Sequence, residues 1–531
     1  MNKIAKYLNQ HLIGSVFDSP QIMEKYSTDR SPLKITPRMV AVPENVADVK
    51  KVVKFISQLA KKSVHVPITV RGAGLDKTGA DLGSGLVLST ERLNKILEID
   101  DRSRLVRVQA GVTLGQLNSA LALYGLTLPI KADERETIGG LIANFTTDDA
   151  AGKYNGIFYY VDCLEAVLST GDSIQTGRLL RRNFARKADL TSFEGAIYRD
   201  VDQLITDNTE LVKELGGRAT IDAAGYQMIS QVVKDVTKSF DLLPLFYASQ
   251  GTLGVITEVI LHCEVLQPLS RRFVAAFESI GAAENYIQQI MPLGTEELNL
   301  YDARMFKTAG DHGKDPALFA PKFYKGYFVL ASFDDKPRRI KKKLQKCLKL
   351  LPDNAAAVME TDDNVTDFER LNSAVVSYLN NDIRGERVGL ADDFYVPTEH
   401  LANFLTDMRT LELTYGQELP VYGSFSTSNY RVRPDIQLNT VEGRQMVLQF
   451  LKGLSALLKE HGGSITGGAP EGRTKATVTN AELSEDETKL YQKLKLIFDP
   501  NDILNPDVKL GAVTSTTVRH IRTDYLSDIT L

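Results

Sequence analysis

Residues 66–85 read VPITVRGAGLDKTGADLGSG, and the reading of this stretch decides the fold. Ile68, Thr69 and Val70 are β-branched and suit a short strand. Gly72, Gly74 and Gly79 then free the backbone, with Gly83 and Gly85 beyond. Such a loop can gather several amide N–H groups into one concavity that suits a pyrophosphate. Two familiar phosphate loops do not match. A dinucleotide fingerprint has G-x-G-x-x-G opening a helix; here the third glycine comes two residues late, and Asp81, Gly83, Ser84 and Gly85 start a helix poorly. A Walker loop ends in Gly-Lys-Ser/Thr, whereas Gly79 is followed by Ala80. On this stretch alone an ordinary strand-end loop stays open.

The surrounding chain has 531 residues, 43% hydrophobic and 24% charged, which suits a globular protein with two to four domains. Its net charge of −4 gives no overall basic excess to drive binding to nucleic acid or to an acidic membrane. Cys163, Cys263 and Cys347 lie far apart and form neither a disulfide framework nor a zinc spacing. That usage fits a reducing, cytoplasmic compartment, with peripheral contact to a membrane left open. No signal peptide is expected from residues 1–20, which hold no long apolar run, and no 18-residue uncharged apolar window occurs in the sequence.

Taken in order, residues 1–35 read as an N-terminal adapter with some helix. An α/β pattern follows. Met39–Val42 is strand-like, and Asn45 caps a helix whose Val49, Val52, Val53 and Ile56 share one face. Leu86–Leu88 and Leu105–Val108 are strands, and Thr113 with Gln116 forms a capping box ended by Gly125. Thr137–Asn144 (TIGGLIAN) precedes the polar loop 146–156, and Val161–Ser169 returns to strand. The arginine-rich run 178–187 reads as a solvated surface, with an anionic partner as the lesser alternative. Residues 195–240 read as mostly helical, and Ala248–Glu258 as a small-residue turn feeding a strand. A domain boundary falls near Gln267-Pro268. Beyond it, strands are expected at 272–276, 327–332 and 393–396, and helices at 282–291, 336–351 and 399–413. A helix ends at Gly462-Gly463, Ser484 and Glu487 box a last one, and the tail after Gly511 is short and polar.

Several ordered pieces together carry a resemblance: Arg71-Gly72-Ala73-Gly74 with Gly79, Val108-Gln109-Ala110-Gly111-Val112, Thr137-Ile138-Gly139-Gly140 with Asn144, Ser249-Gln250-Gly251-Thr252-Leu253-Gly254, and Phe498-Asp499-Pro500 through Asn505-Pro506. In these the chain resembles the FAD-linked oxidases of the vanillyl-alcohol oxidase / p-cresol methylhydroxylase superfamily, nearest the branch of glycolate oxidase subunits and D-lactate or D-2-hydroxyglutarate dehydrogenases. The resemblance implies an α+β fold: a two-subdomain FAD-binding domain (36–267), an α+β cap domain (268–480), a C-terminal segment (481–511) returning to the flavin, and a tail (512–531). It implies non-covalent FAD held by Arg71, Gly72, Ala73, Gly74, Leu75, Asp76 and Gly79; by Thr137, Gly139, Gly140 and Asn144; by Gly251, Thr252, Gly254, Val255 and Ile256; and by Asn505 near the ring.

The same resemblance breaks at the family's metal site. Two histidine ligands are expected where Ser424 and Arg431 stand, and a Glu-His pair where Gly468 and Ala469 stand. The seven histidines are scattered without ligand spacing, so no metal is expected. Catalysis would fall to Arg431 as an anion clamp and to Tyr430 or Tyr422 as acid or base, although packing between strands is the commoner role of such tyrosines. The expected activity is FAD-dependent hydride abstraction from a small polar or anionic, 2-hydroxy-acid-like substrate. The electron acceptor, whether oxygen, a quinone or a protein, and homo- or hetero-oligomerisation stay open. The alternatives are an FAD-binding but catalytically degenerate partner or redox-sensing subunit, and a scaffold without flavin.

Overall fold

The computed structural model describes residues 3–145, 151–218, 222–234, 239–310, 318–380 and 387–525. Part of the polar loop read at 146–156 and part of the 195–240 stretch lie outside the described residues.

The glycine-rich stretch begins as a strand, Ile68–Arg71, in a four-stranded sheet. Ile68–Arg71, Leu86–Ser89 and Met39–Val42 run parallel. Ser15–Phe17 adds an antiparallel edge, so the N-terminal residues are woven into this sheet. Parallel strands are covered on both faces, which is why MVAV is apolar throughout, LVLS is apolar up to Ser89, and both are fully buried. The helix Val46–Ala60 covers one face. It starts where the Asn45 side chain accepts the Asp48 amide at 3.0 Å. Its Val49, Val52, Val53 and Ile56 are fully buried, each contributing about 1.5–3 kcal/mol of transfer free energy.

A second, five-stranded antiparallel sheet orders Ile96–Asp100, Leu105–Gln109, Val255–His262, Val161–Val167 and Ser173–Gln175. The capping boxes at Thr113/Gln116 and Ser484/Glu487 are both formed. The helix opened by Ser484 packs Leu490, Leu494 and Phe498 into the core of this sheet. The chain then runs back beside the first strand: the Ile68 amide donates to Ile503 O at 2.7 Å, and the Asn505 amide to Ile68 O at 2.8 Å. The C-terminal return is thus a backbone bridge onto the strand that launches the glycine loop.

The third sheet has seven antiparallel strands, in the order Ala356–Met359, Ser270–Phe277, Tyr327–Asp334, Leu298–Asp302, Tyr422–Ser424, Asn429–Val432 and Ala391–Tyr395. Its Ser270–Phe277 strand divides by the two-residue period. Phe273, Ala275 and Phe277 enter one core, and Val274 and Ala276 the other. Helices Ile280–Ile290, Pro337–Leu350, Leu401–Tyr415 and Val441–Glu460 cover the first face, and Arg304–Gly310 and Val365–Asn380 the second.

Several expectations shift. The stretch 195–240 has helices Phe193–Asp207 and Thr209–Gly216, followed by a 3-10 turn and short strands. The tail holds a helix, Thr514–His520, and Ile521 bridges to Leu33. The strands Leu298–Asp302, Ala356–Met359, Tyr422–Ser424 and Asn429–Val432 carry short segments whose partners are distant in sequence, and so gave no local signal.

Candidate active site

A cleft runs along the exit of the Ile68–Arg71 strand. Its walls come from Gly72–Thr78, Glu136–Gly140, Gln250–Gly251 and Gly468–Pro470. The first two segments meet in van der Waals contact. A Cβ on Gly72 would lie 2.3 Å from Thr137 Oγ1, so only bare backbone fits there. Gly74 has φ +75°, a conformation that side chains with a Cβ resist, and its Cβ would strike the Arg71 guanidinium at 2.2 Å. Thr137 caps the short helix Ile138–Ala143 by accepting the Gly140 amide at 3.2 Å. That capping presents Gly139 and Gly140 to the cleft.

Four chain segments are locked together around this wall. The Gln250 amide group donates to Thr78 Oγ1 at 3.0 Å and accepts the Gly472 N–H at 3.1 Å. The Thr474 N–H donates to Thr78 O at 3.0 Å. Asn505, fully buried, donates to Ala80 O and Gln250 O at 2.7 Å and accepts from Thr69 and Arg473 at 3.0 Å.

Of the residues read from sequence as cofactor-binding, the structure brings to the cleft wall Gly72, Ala73, Gly74, Leu75, Asp76, Thr137, Gly139, Gly140, Asn144, Gly251, Gly254 and Ile256. Five lie off the wall. Arg71 turns away, donating to Thr28 O at 2.8 Å and pairing with Asp81 at 3.5 Å. Gly79 backs onto Leu33, Thr252 accepts from Tyr226 in the core, and Val255 packs with the first sheet. Asn505 spends its amide on the clasp just described. The sequence reading missed Lys77, Thr78, Glu136, Gln250 and Asp393 on the wall. Lys77 stood inside the first quoted stretch and Glu136 one residue before Thr137–Asn144, and their charge was the available signal.

Another part of the cleft lining is charged. Asp393 lies at a register shift in its strand with φ +72°, a strained state for a residue with a side chain and one found often at functional sites. Arg431 Nε donates to Asp393 at 2.8 Å. Arg433 forks onto Asp392, its Nε at 3.0 Å. Lys77 Nζ lies 3.7 Å from Asp393 and 3.9 Å from Asp392, beyond hydrogen-bond reach. Burial raises Asp393, but Lys77 and Arg431 outweigh it and hold the carboxyl below its ordinary value. Glu136 is pushed up to about 7 by burial, against the pull of Lys77. Asp76 is pushed up to about 6 by burial and by Asp81, while it accepts the Thr78 and Ala80 amides at 3.0 and 2.7 Å. Lys475, buried beneath, donates to Ile465 O at 2.9 Å and so fixes the segment leading to Gly468.

Arg431 is not part of the cleft lining; it stands behind Asp393, already committed to that carboxylate. The two tyrosines are not brought to the wall. Tyr430 is fully buried against Phe394, with its hydroxyl unpaired. Tyr422 stacks on Tyr301 at 6.3 Å between ring centroids. Burial raises both hydroxyls far above their ordinary value. The positions where a divalent metal would be bound do not fit one. Ser424 offers a hydroxyl, Arg431 a cation, and Gly468 and Ala469 no donor side chain. The nearby carboxylates Asp392 and Asp393 are already matched by Arg433, Arg431 and Lys77.

Residues 37–177 match the model of an FAD binding domain. Residues 267–508 match the C-terminal domain of FAD linked oxidases. The chain belongs to the FAD-linked oxidases. It is 26% identical over 499 residues to a D-2-hydroxyglutarate dehydrogenase of Pantoea ananatis, covering 90% of this chain and 48% of that protein. The chain thus spans about half the length of the D-2-hydroxyglutarate dehydrogenases it matches. It is 24% identical to the Bacillus subtilis glycolate oxidase subunit GlcD, over 91% of each chain. It is 26% identical to a D-lactate dehydrogenase of Archaeoglobus fulgidus, over 91% of this chain and 95% of that one. A 4-ethylphenol oxidase from Gulosibacter chungangensis has the same fold, with a TM-score of 0.67 at 13% identity, over 95% of this chain and 96% of that one. An alkyldihydroxyacetonephosphate synthase scores 0.63 at 16% identity, over 95% of this chain and 84% of that one. As an FAD-linked oxidase/dehydrogenase, the chain takes FAD as its cofactor. The bare backbone of Gly72 and Gly74 and the capped turn at Thr137 fit that group. No helix among the described residues is long and apolar enough to cross a membrane.

Proposed function

We propose that this FAD-linked oxidase oxidises a small anionic, 2-hydroxy-acid-like compound without a metal, with Lys77 anchoring the substrate anion and Glu136 receiving its hydroxyl proton. The observation that carries this reading is the pairing in one cleft of a glycine-lined wall with the cluster Lys77, Glu136 and Asp393. Gly72–Gly74, Thr137–Gly140 and Gly251 would hold non-covalent FAD. Bound FAD supplies the hydride acceptor, flavin N5.

The chain's own groups do the rest. Lys77 presents three ammonium donors to the cleft, and its two aspartates are too distant to occupy them directly. A substrate carboxylate could therefore take those donors at short range. Arg431 is spoken for by Asp393. It keeps Asp393 ionised, and Asp393 in turn holds Lys77 at the cleft edge. Arg431 is thereby a positioning residue in this scheme, and the substrate-clamp role expected for it passes to Lys77. Burial pushes the Glu136 carboxyl up to about 7, near the operating range that suits a proton acceptor. Tyr430 and Tyr422 are too buried to serve, and both are held as phenols.

The test is anaerobic reduction of the purified yellow protein by a panel of D- and L-2-hydroxy acids. Bleaching by one of them, lost in Lys77→Ala while flavin content is kept, supports the assignment; bleaching that is untouched in that variant overturns it. A second reading has one observation behind it: the relative in Bacillus subtilis is named as a subunit. A non-catalytic, FAD-binding partner would stay yellow against the whole panel.

A further inference from the structure

The helix Pro337–Leu350 carries a charge that the fold does not use. Between residues 336 and 349 there are eight lysines and arginines and no acid, in a chain whose net charge is −4. Ile340, Leu344 and Cys347 face the core of the seven-stranded sheet. Helical spacing then puts Arg338, Lys342, Lys346 and Lys349 in a row on the opposite side, and all four are exposed.

Little of this charge is answered from within. Asp335 reaches Arg339 at 3.6 Å and Lys343 at 3.9 Å. Lys336, Arg338, Lys341, Lys342, Lys346 and Lys349 meet no carboxylate among the described residues. The arrangement works against the helix itself. Arg338 and Lys342, then Lys342 and Lys346, stand four residues apart with like charge, which repels. Cations also crowd the first turn, where no acid offsets the positive end of the helix dipole. A row that costs the helix stability and binds nothing in its own chain is complementary to an external anionic surface.

We infer that this helix face docks the enzyme on an anionic lipid bilayer. The face is straight, about 20 Å long at 1.5 Å per residue, and its charges are mostly lysine. Lysine is a compact point charge suited to a diffuse field, whereas arginine's planar fork suits a defined carboxylate or phosphate pair. The face has no aromatic ring on which nucleic-acid bases could stack. Four to eight clustered cations on an amphipathic helix are the pattern that anionic lipid headgroups attract. Leu348, 39% exposed at the end of the row, is its one large apolar group. The contact is therefore electrostatic and lies at the headgroup level.

The experiment is co-sedimentation of the FAD-loaded protein with vesicles of phosphatidylcholine alone, or of phosphatidylcholine and phosphatidylglycerol in equal parts. Binding is expected only to the second, with loss at high salt as screening shortens the reach of the charges. The triple variant Lys342→Glu, Lys346→Glu, Lys349→Glu should bind those vesicles at least about tenfold more weakly, with unchanged flavin spectrum and melting temperature. Equal binding to both vesicle types, no binding to either, or full binding by the triple variant overturns the inference. So does binding of a DNA duplex or an acidic polypeptide with none to the anionic vesicles. None of these outcomes depends on which substrate the cleft takes.

Discussion

Two parts of the cleft lining are built on opposite principles. At the glycine-lined end, backbone does the work, and side chains are excluded by contacts as close as Gly72 to Thr137. At the charged end, side chains do the work, and they come from three distant places: Lys77 in the first loop, Glu136 before the second, and Asp392, Asp393, Arg431 and Arg433 in the seven-stranded sheet. The first end tolerates almost no change in shape. The second can trade one charge for another, provided the sum is kept. This difference teaches where the chain departs from the branch it resembles: the glycine-rich frame is intact, while Ser424, Arg431, Gly468 and Ala469 stand where the resemblance implies metal ligands and a catalytic histidine.

The largest effect should come from breaking the backbone end. Gly74→Val forces a β-branched residue into φ +75° and drives its Cβ into Arg71. The protein should purify colourless, with FAD affinity lowered by about a hundredfold or more, in line with a strain of roughly 1–3 kcal/mol plus the clash. Flavin fluorescence titration measures it. Retention of full yellow colour and wild-type affinity would remove the loop from the cofactor site.

Next in size is the proton acceptor. Glu136→Gln keeps shape and burial but cannot take a proton, and should lower the rate of anaerobic flavin reduction by about 10²–10⁴-fold with FAD content unchanged. In the native enzyme the rate should rise with pH through about 7, as the carboxyl loses its proton. The variant should lack that rise. Stability should move the other way. The folded pKa lies above the unfolded one, so Glu136 favours folding below its ordinary range and loses that contribution as pH climbs through about 7. Above neutrality Glu136→Gln should therefore melt higher than the native protein. A native rate that is flat across this range would refute the assignment.

These two predictions also mark how far the sequence could be read. The backbone of the glycine-lined end was legible because its signal is local: β-branched residues running into glycines, Thr137 three residues before Gly140, and Thr113 and Gln116 at capping-box spacing. Arg71 and Asn505 were read as touching the cofactor, since both sit in the motif. Their side chains instead hold the frame, and the sequence could not show which way they turn. The charged end was legible only as a loss, through Ser424, Arg431, Gly468 and Ala469. What fills the gap was not. Asp393 reaches the cleft by a register shift and a left-handed backbone that no local pattern announces. Tyr430 and Tyr422 lie close to Arg431 in sequence, but residues 430 and 431 alternate across the pleat, and Tyr430 goes to the core.

Lys77→Ala tests the anion anchor. Losing a charged hydrogen bond should cost about 1.5–3 kcal/mol, which is roughly ten- to a hundredfold in kcat/KM for an anionic substrate. An uncharged analogue should lose little. Lys77→Arg should restore part of the loss. Elemental analysis belongs beside this experiment. The donor set at Ser424, Arg431, Gly468 and Ala469 predicts no stoichiometric zinc, manganese or iron in protein purified without chelator. One equivalent of such a metal, bound with activity that depends on it, would mean that the cation cluster has been misread.

The smallest effect on chemistry should come from Arg431→Ala, and it is the variant that best separates the two ends. Arg431 stands in register with a family metal ligand, so a role at the substrate is the first thought. The geometry points elsewhere: its Nε is on Asp393 at 2.8 Å, and its side chain is only 16% exposed. Removing it leaves a buried carboxylate with the Asn429 amide at 3.3 Å and Lys77 as its remaining cation, 3.7 Å away. The cost should appear as stability, about 1–3 kcal/mol, because the partner left behind is desolvated and half-paired. The sign with pH follows. Asp393 is held below its unfolded value, so the contribution of the pair is present at neutral pH and fades as pH falls through the carboxylate range. The melting temperature of Arg431→Ala should thus lie below that of the native protein at pH 7, and the gap should close on acidification. Flavin reduction should slow by no more than about threefold, through a looser Lys77, which is under 1 kcal/mol of barrier. A loss of a hundredfold in kcat/KM at an unchanged melting temperature would instead place the guanidinium on the substrate, and Lys77 would revert to a bystander in the aspartate cluster.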